Sequence, residues 1–504
     1  MHLKPLITAL AAAALAALAM PAQAAATPPG GLPVDLKPCR LPGVAYEAWC
    51  GKLARPLDPA APSGPAINVH YAVLPAAARN KKPDPVLFFA GGPGQSAITL
   101  AGTVSRLMGR VSNRRDVVLI DQRGTGLSAP LACERDSPTR PLAEQADLTL
   151  YAARLAACRT ALQALPHGNL RLYTTTIAMQ DADAVRAKLG AASVNLVGGS
   201  YGTRAALEYQ RQFPQHVRRS VIDGVAPPDM VLPVSFSPDA QASFDALLAA
   251  CEADAACKLR YPRLREDWHG LLASPPRDVS VLHPLTGKPE RLTVTRDMVL
   301  GLVRLPLYAP TIASALPLAV TEAARGRFEP LVGLSTALTS GRGGARRMEM
   351  FMGMHLSVVC AEDWPRAAMA ADRPGPDFGN AFTEAYRTAC ADWPRGEVPA
   401  AFYEVPAAKT AVLVLSGGAD PVTPPRHGER VAKALGAMAR HVVVAQAGHG
   451  VISMPCMRDV VFRFIDAADD VAALKVDATC VGAVPRPSAF MPVTADAAGT
   501  EVRQ

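Results

Sequence analysis

With 504 residues, the chain is long enough for about three domains of ordinary size, or for one large domain carrying an insertion. Hydrophobic residues make up 49% and charged residues 19%, a balance that excludes wholesale disorder and demands a large buried core. The net charge of +8 does not make this a nucleic-acid-binding chain, because the basic residues are scattered. Their densest cluster, Arg342, Arg346 and Arg347, is interleaved with glycines and lacks stacking aromatics, so it reads as solvated surface.

Residues 1–24 combine Lys4, an apolar run from Leu6 to Met20 and the small-residue site Ala22, Gln23, Ala24, the pattern of a cleavable secretory signal peptide. The apolar run falls short of the roughly 20 residues that span a bilayer, so a retained anchor is the weaker reading. No other stretch is apolar enough to cross, and a mature chain starting at Ala25 is expected to be secreted or periplasmic without inserting into the membrane. An even count of ten cysteines fits that oxidising destination better than zinc, since no pair has Cys-x-x-Cys spacing. Pairing each cysteine with its next neighbour closes five short loops: Cys39 with Cys50, Cys133 with Cys158, Cys251 with Cys257, Cys360 with Cys390, and Cys456 with Cys480.

From residue 86 apolar runs alternate with helical stretches, which predicts a mostly parallel sheet covered on both faces. Val86 to Ala90 leads into Gly91, Gly92, Pro93, Gly94, and Val117 to Ile120 leads into Asp121, Gln122, Arg123, Gly124. Val194 to Val197 leads into Gly198, Gly199, Ser200, and Val221 and Ile222 lead into Asp223 and Gly224. Val412 to Leu415 leads into Ser416, Gly417, Gly418, and Val442 to Val444 into Ala445, Gln446, Ala447, Gly448. Such carboxyl-end loops are where open parallel sheets bind ligands. Between Leu232 and Gly396 the pattern turns helical, for example over Ala240 to Ala256 and Met298 to Arg325, without buried strands. The expected organisation is a catalytic α/β domain of residues 25–231 and 397–504, split by a helical cap of residues 232–396. A short echo ends the cap, Cys360-Ala-Glu-Asp-Trp-Pro-Arg against Cys390-Ala-Asp-Trp-Pro-Arg, and two helix ends stapled by one disulfide would explain it.

Gly198, Gly199, Ser200, Tyr201, Gly202 form a Gly-x-Ser-x-Gly segment between a strand and a helix, where a sharp turn can lift the Ser200 hydroxyl above the sheet. A serine needs a base to remove its proton and a carboxylate to orient that base, here in the order Ser, Asp, His. His449, between Gly448 and Gly450 after a strand, is the candidate base; His427 and His441 occupy ordinary structural positions. Asp420 follows a strand and precedes Pro421, and is the candidate carboxylate, with Asp223 as the alternative. Backbone N–H groups of Tyr201 and Gly92 are the candidate oxyanion donors. Pro93 has no N–H and can only shape the turn. The glycine cluster lacks the Lys and Ser/Thr of a phosphate loop.

These segments together resemble the α/β-hydrolase peptidases of family S33, the proline iminopeptidase and tripeptidyl aminopeptidase group. The resemblance rests on Gly91 to Ser96, Asp121 to Ser128, Gly198 to Thr203, Gly418 to Pro424 and Gly448 to Gly450, in order over residues 86–450. It implies an α/β-hydrolase fold and a cofactor-free enzyme without metal, acting on peptide substrates with a free N-terminus and releasing one residue or a short peptide. It also implies acidic groups near the cap that pair with the substrate ammonium, for which Glu362 and Asp363 are the candidates. Ala90 stands where proline iminopeptidases carry histidine, so a narrow proline preference does not transfer. An esterase on the same fold is the nearest alternative, and a non-catalytic binding protein the alternative from another class.

Overall fold

A computed structural model of the chain describes residues 31–33, 35–134, 137–337 and 349–492; residues 1–24 and the Arg342, Arg346, Arg347 cluster lie outside these. Nine strands form one sheet: β1 (Lys37–Cys39), β2 (Ala48–Pro56), β3 (Ala66–Leu74), β4 (Val86–Phe89), β5 (Val117–Ile120), β6 (Val194–Gly199), β7 (Val217–Asp223), β10 (Val412–Gly417) and β11 (Ala439–Val444). Their order is β1-β2-β3-β5-β4-β6-β7-β10-β11. The first three strands pair antiparallel, and every pair from β5 to β11 is parallel.

The parallel strands are uninterrupted Val, Ile and Leu runs because both faces of the sheet are covered. Val118, Ile120, Val412 and Val414 join the core on one face, while Val117, Leu119, Leu413 and Leu415 join the core on the other. The antiparallel edge β1 to β3 was not among the expected elements; its strands mix exposed or half-exposed Lys37, Lys52, Arg55 and Asn68 with buried residues. All five disulfides join nearest neighbours: Cys39–Cys50, Cys133–Cys158, Cys251–Cys257, Cys360–Cys390 and Cys456–Cys480.

The segment between β7 and β10 has its own apolar cluster, including Phe244, Trp268, Leu300, Leu316 and Phe378. It is mainly helical, as expected, but also holds an antiparallel hairpin, β8 (Arg277–Leu282) with β9 (Pro289–Val294). The helix expected over Met298 to Arg325 is broken into Arg296–Arg304, Pro310–Ala313 and Leu316–Ala324, with Pro306–Tyr308 as a single tight turn between the first two. Pro306, Pro310 and Pro317 each sit at the start of a new turn, where their missing N–H is not needed. Among the described residues no helix is long and apolar enough to cross a membrane.

Candidate active site

The strand ends converge on one edge of the sheet. Ser200 joins β6 to the helix Tyr201–Gln212 with φ 56° and ψ −126°, a conformation that side-chain-bearing residues rarely adopt. Crowding leaves the flanks no alternative to glycine. A Cβ on Gly198 would lie 2.2 Å from the Gly202 carbonyl oxygen, and one on Gly202 would lie 2.1 Å from that of Phe89. The Ser200 N–H donates to the Asp223 carbonyl at 2.9 Å, anchoring the turn to β7.

Asp420 and His449 meet at the end of β10 and β11. Nδ1 of His449 lies 2.8 Å from Oδ2 of Asp420, while Oδ1 accepts from the N–H groups of Val422 and Thr423, both at 2.9 Å. Sequence reasoning missed Thr423, whose hydroxyl donates to Asp420 Oδ2 at 2.8 Å and lies 3.1 Å from His449 Nδ1. Burial alone would raise the Asp420 pKa, but the charge and hydrogen bond of His449 and the two N–H donors outweigh it and hold the carboxyl below its ordinary range. Burial likewise depresses His449, and the Asp420 charge and hydrogen bond, with help from the Asp223 charge, lift it above the ordinary histidine value. Nε2 is the ring nitrogen left for chemistry.

The alternative residues are engaged elsewhere. Asp223 accepts from the N–H groups of Val451 and Ile452, at 3.1 and 2.8 Å, and so steadies the loop that follows His449; burial pushes its pKa up to about 6. His427 pairs with the buried Asp239 at 2.9 Å, and His441 with the Ser416 hydroxyl at 3.0 Å.

Gly92, Ser200 and Tyr201 line one pocket with Ala226, Met230, Leu232, Phe236, Tyr308, Val422 and Thr423. The Tyr201 side chain turns into the core, bonding Thr175 Oγ1 at 2.6 Å and Gln122 Nε2 at 2.9 Å, so only its backbone is left to serve the pocket. The turn carrying Gly92 (φ +110°) is fixed by its surroundings. Asp121 accepts from Ser96 Oγ at 2.6 Å and from the N–H groups of Ile98 and Leu127, and Phe351 N–H donates to Gly94 O at 2.9 Å. Arg123 of the same motif is fully buried against Asp181 and three backbone carbonyls. The Asp-Gln-Arg-Gly segment therefore frames the site without facing it.

Glu362 and Asp363 are not brought to this pocket. Both are fully buried in a π-helical turn, Val359–Asp363, and both are already engaged. Asp363 takes Arg204 Nη1 at 2.9 Å and Nη2 at 3.0 Å, plus the Leu232 N–H at 3.2 Å. Glu362 accepts from the N–H and hydroxyl of Thr175 at 2.6 and 3.0 Å, with Arg204 at 3.6 Å. The ammonium-binding role expected of these two carboxylates is therefore not supported by their placement. Arg204, four residues after Ser200, supplies permanently the positive charge that a substrate was expected to bring.

Residues 84–258 match the family described as alpha/beta hydrolase fold, and residues 375–472 match the family described as TAP-like protein. The chain has the α/β-hydrolase fold, with a TAP-like C-terminal part. It is 28% identical over 334 residues to the serine protease Hip1 of Mycobacterium tuberculosis, covering 62% of this chain and 63% of that one. It is 30% identical over 195 residues to the tripeptidyl aminopeptidase of Streptomyces lividans, covering 36% of this chain and 35% of that one. To the putative hydrolase YuaR of Escherichia coli it is 27% identical over 293 residues, 54% of this chain and 56% of that one. The chain thus spans less than two thirds of the length of the curated relatives it matches.

Proposed function

We propose that this chain is an exported serine hydrolase that cleaves peptide bonds near a free N-terminus, releasing one to three residues through an acyl-enzyme. The observation that carries the reading is the 2.8 Å contact of His449 Nδ1 with buried Asp420, on the same sheet edge as a positive-φ serine at a strand-to-helix turn. In the proposed reaction His449 Nε2 takes the Ser200 proton as the oxygen attacks the scissile carbonyl. The imidazolium, steadied by Asp420, then protonates the leaving amine. Water activated by the same imidazole hydrolyses the ester. The N–H groups of Gly92 and Tyr201 receive the oxyanion.

The peptidase half of the reading draws on the relatives, two of which are described as a serine protease and a tripeptidyl aminopeptidase. Export draws on residues 1–24 and on the five disulfides, which persist in oxidising compartments. Residues 232–396 act as the cap that shapes the pocket through Leu232, Phe236 and Tyr308, on a catalytic domain of residues 25–231 and 397–504. Ester hydrolysis is a second reading favoured by one observation: the described residues lining the Ser200 pocket include no carboxylate to hold a substrate ammonium.

Chromogenic amides with free and acetylated N-termini, compared with short acyl esters, separate the two. The peptidase reading requires the free amides to turn over best, and a preference for acetylated amides or esters overturns it. Ser200→Ala is expected to lower turnover of the best substrate by at least about 10⁴-fold. Unchanged turnover would remove Ser200 from the mechanism.

A further inference from the structure

Four arginines fully buried among the described residues each have a carboxylate: Arg115 has Asp84 and Asp466, Arg123 has Asp181, Arg204 has Asp363, and Arg219 has Asp470. Half-buried Arg366 and Arg440, which lack one among the described residues, donate to the backbone carbonyls of Asp229 and Leu474. Arg304, half-buried at the end of the helix Arg296–Arg304, has neither. Among the described residues it forms no ion pair, its Nε is buried without a partner, and its polar contact is a long one, Nη2 to the Tyr308 hydroxyl at 3.4 Å.

Its surroundings are aromatic. The guanidinium carbon lies 4.4 Å from the centre of the Phe236 ring, 4.8 Å from Phe382 and 5.7 Å from Tyr308. Phe236 and Tyr308 also line the Ser200 pocket, and the Tyr308 ring stands edge-on to His449 with centroids 5.3 Å apart. The uncompensated cation is therefore one ring away from the imidazole. Ring faces attract a guanidinium but accept none of the hydrogen bonds its flat fork of five donors can make, and a carboxylate matches that fork. The charge of Arg304 also opposes an imidazolium at His449, an opposition that a bound anion would relieve.

We propose that Arg304 binds a carboxylate of the substrate on the cap side of the Ser200 pocket, either the free C-terminus of a short peptide or an acidic side chain. This rests on the hydrolase reading of Ser200 and adds a substrate class to it. The test uses the full chain and kcat/KM for three matched pairs. One is a short peptide with a free or amidated C-terminus, the second the same peptide with Glu or Gln, and the third the mono-p-nitrophenyl ester of glutaric acid against p-nitrophenyl valerate.

Wild type is expected to favour the carboxylate member by roughly ten- to a hundred-fold, the range of a charge-assisted hydrogen bond. Whichever peptide pair shows the preference identifies the source of the carboxylate. Arg304→Gln should lose most of the preference, and Arg304→Lys should keep part of it. A wild-type ratio near one in all three pairs, or an Arg304→Gln variant that depresses both members equally, overturns the proposal. If Arg304→Gln does not fold, the wild-type ratios decide, together with competitive inhibition of ester turnover by glutarate. Failure of all peptide cleavage with the ester preference intact would sink the peptidase reading and leave Arg304 standing.

Discussion

Asp420, after β10, and Asp363, in the π-helical turn between β7 and β10, are both sealed from solvent, at 1% and 0% exposure. Each carboxylate is saturated with donors, and each faces one cation or potential cation. Asp420 faces His449, whose imidazole can take up and release a proton; Asp363 faces Arg204, which stays protonated. The first arrangement can steady a positive charge that comes and goes on the imidazole. The second clamps three segments together: Arg204 from the helix behind Ser200, the turn holding Asp363, and the Leu232 N–H that follows β7. Burial and hydrogen-bond count do not distinguish a working carboxylate from a structural one; the titration range of the partner does.

The largest effect that would sharpen this contrast is on turnover. Asp420→Asn keeps the shape but no longer holds the proton-bearing Nδ1, and kcat is expected to fall on the order of 10⁴-fold, as steady-state kinetics would show. Asp363→Asn should act on stability instead. It strands the buried Arg204 charge, and removing one partner of a buried pair costs about 3–5 kcal/mol, readable by urea unfolding. Turnover per folded molecule should change less than ten-fold. An Asp363→Asn protein with wild-type stability and no activity would break the comparison and return Asp363 to the list of substrate ligands.

The strand-end loops were legible because strands buried on both faces read as unbroken β-branched runs, and because a strained turn packed against backbone carbonyls tolerates nothing larger than Gly198 and Gly202. The hairpin of β8 and β9 was not, since its short strands mix exposed Asp278, Ser280, Arg291 and Thr293 with buried Val281, Leu292 and Val294 and carry no unbroken apolar run. The fate of Glu362 and Asp363 was hidden because the π-helical turn and the helix before it are buried on every side, which two consecutive acidic residues do not suggest. Their partner is equally hidden. Arg204 stands 159 residues from Asp363, and nothing local in either segment marks the pairing. Thr423 did leave a signal, as the hydroxyl three residues after Asp420 in a turn, where a side chain commonly bonds back to a carboxylate or its backbone.

Glu362 lies between the two aspartates in character, and it yields the smallest expected effect. Burial pushes its pKa up to about 7 despite the nearby Arg204 charge and the Thr175 donors. In the unfolded chain the group has an ordinary value, 4.5. Below that pH it is protonated in both states and costs nothing. As pH rises towards about 7 the unfolded chain releases the proton first, the folded state binds more protons, and stability falls; above that range the effect is flat. Asp420 has the opposite sign: its lowered pKa contributes stability at neutral pH that is lost on acidification. Urea unfolding of wild type and Glu362→Gln at intervals from acid to neutral pH should therefore diverge in slope, by on the order of 1–3 kcal/mol across the window, with the variant flatter. The Asp420 contribution, common to both proteins, cancels in the difference. Identical slopes would mean that Glu362 ionises as an exposed carboxylate does, and an ionised Glu362 near the Ser200 helix would again be a candidate for holding a substrate ammonium.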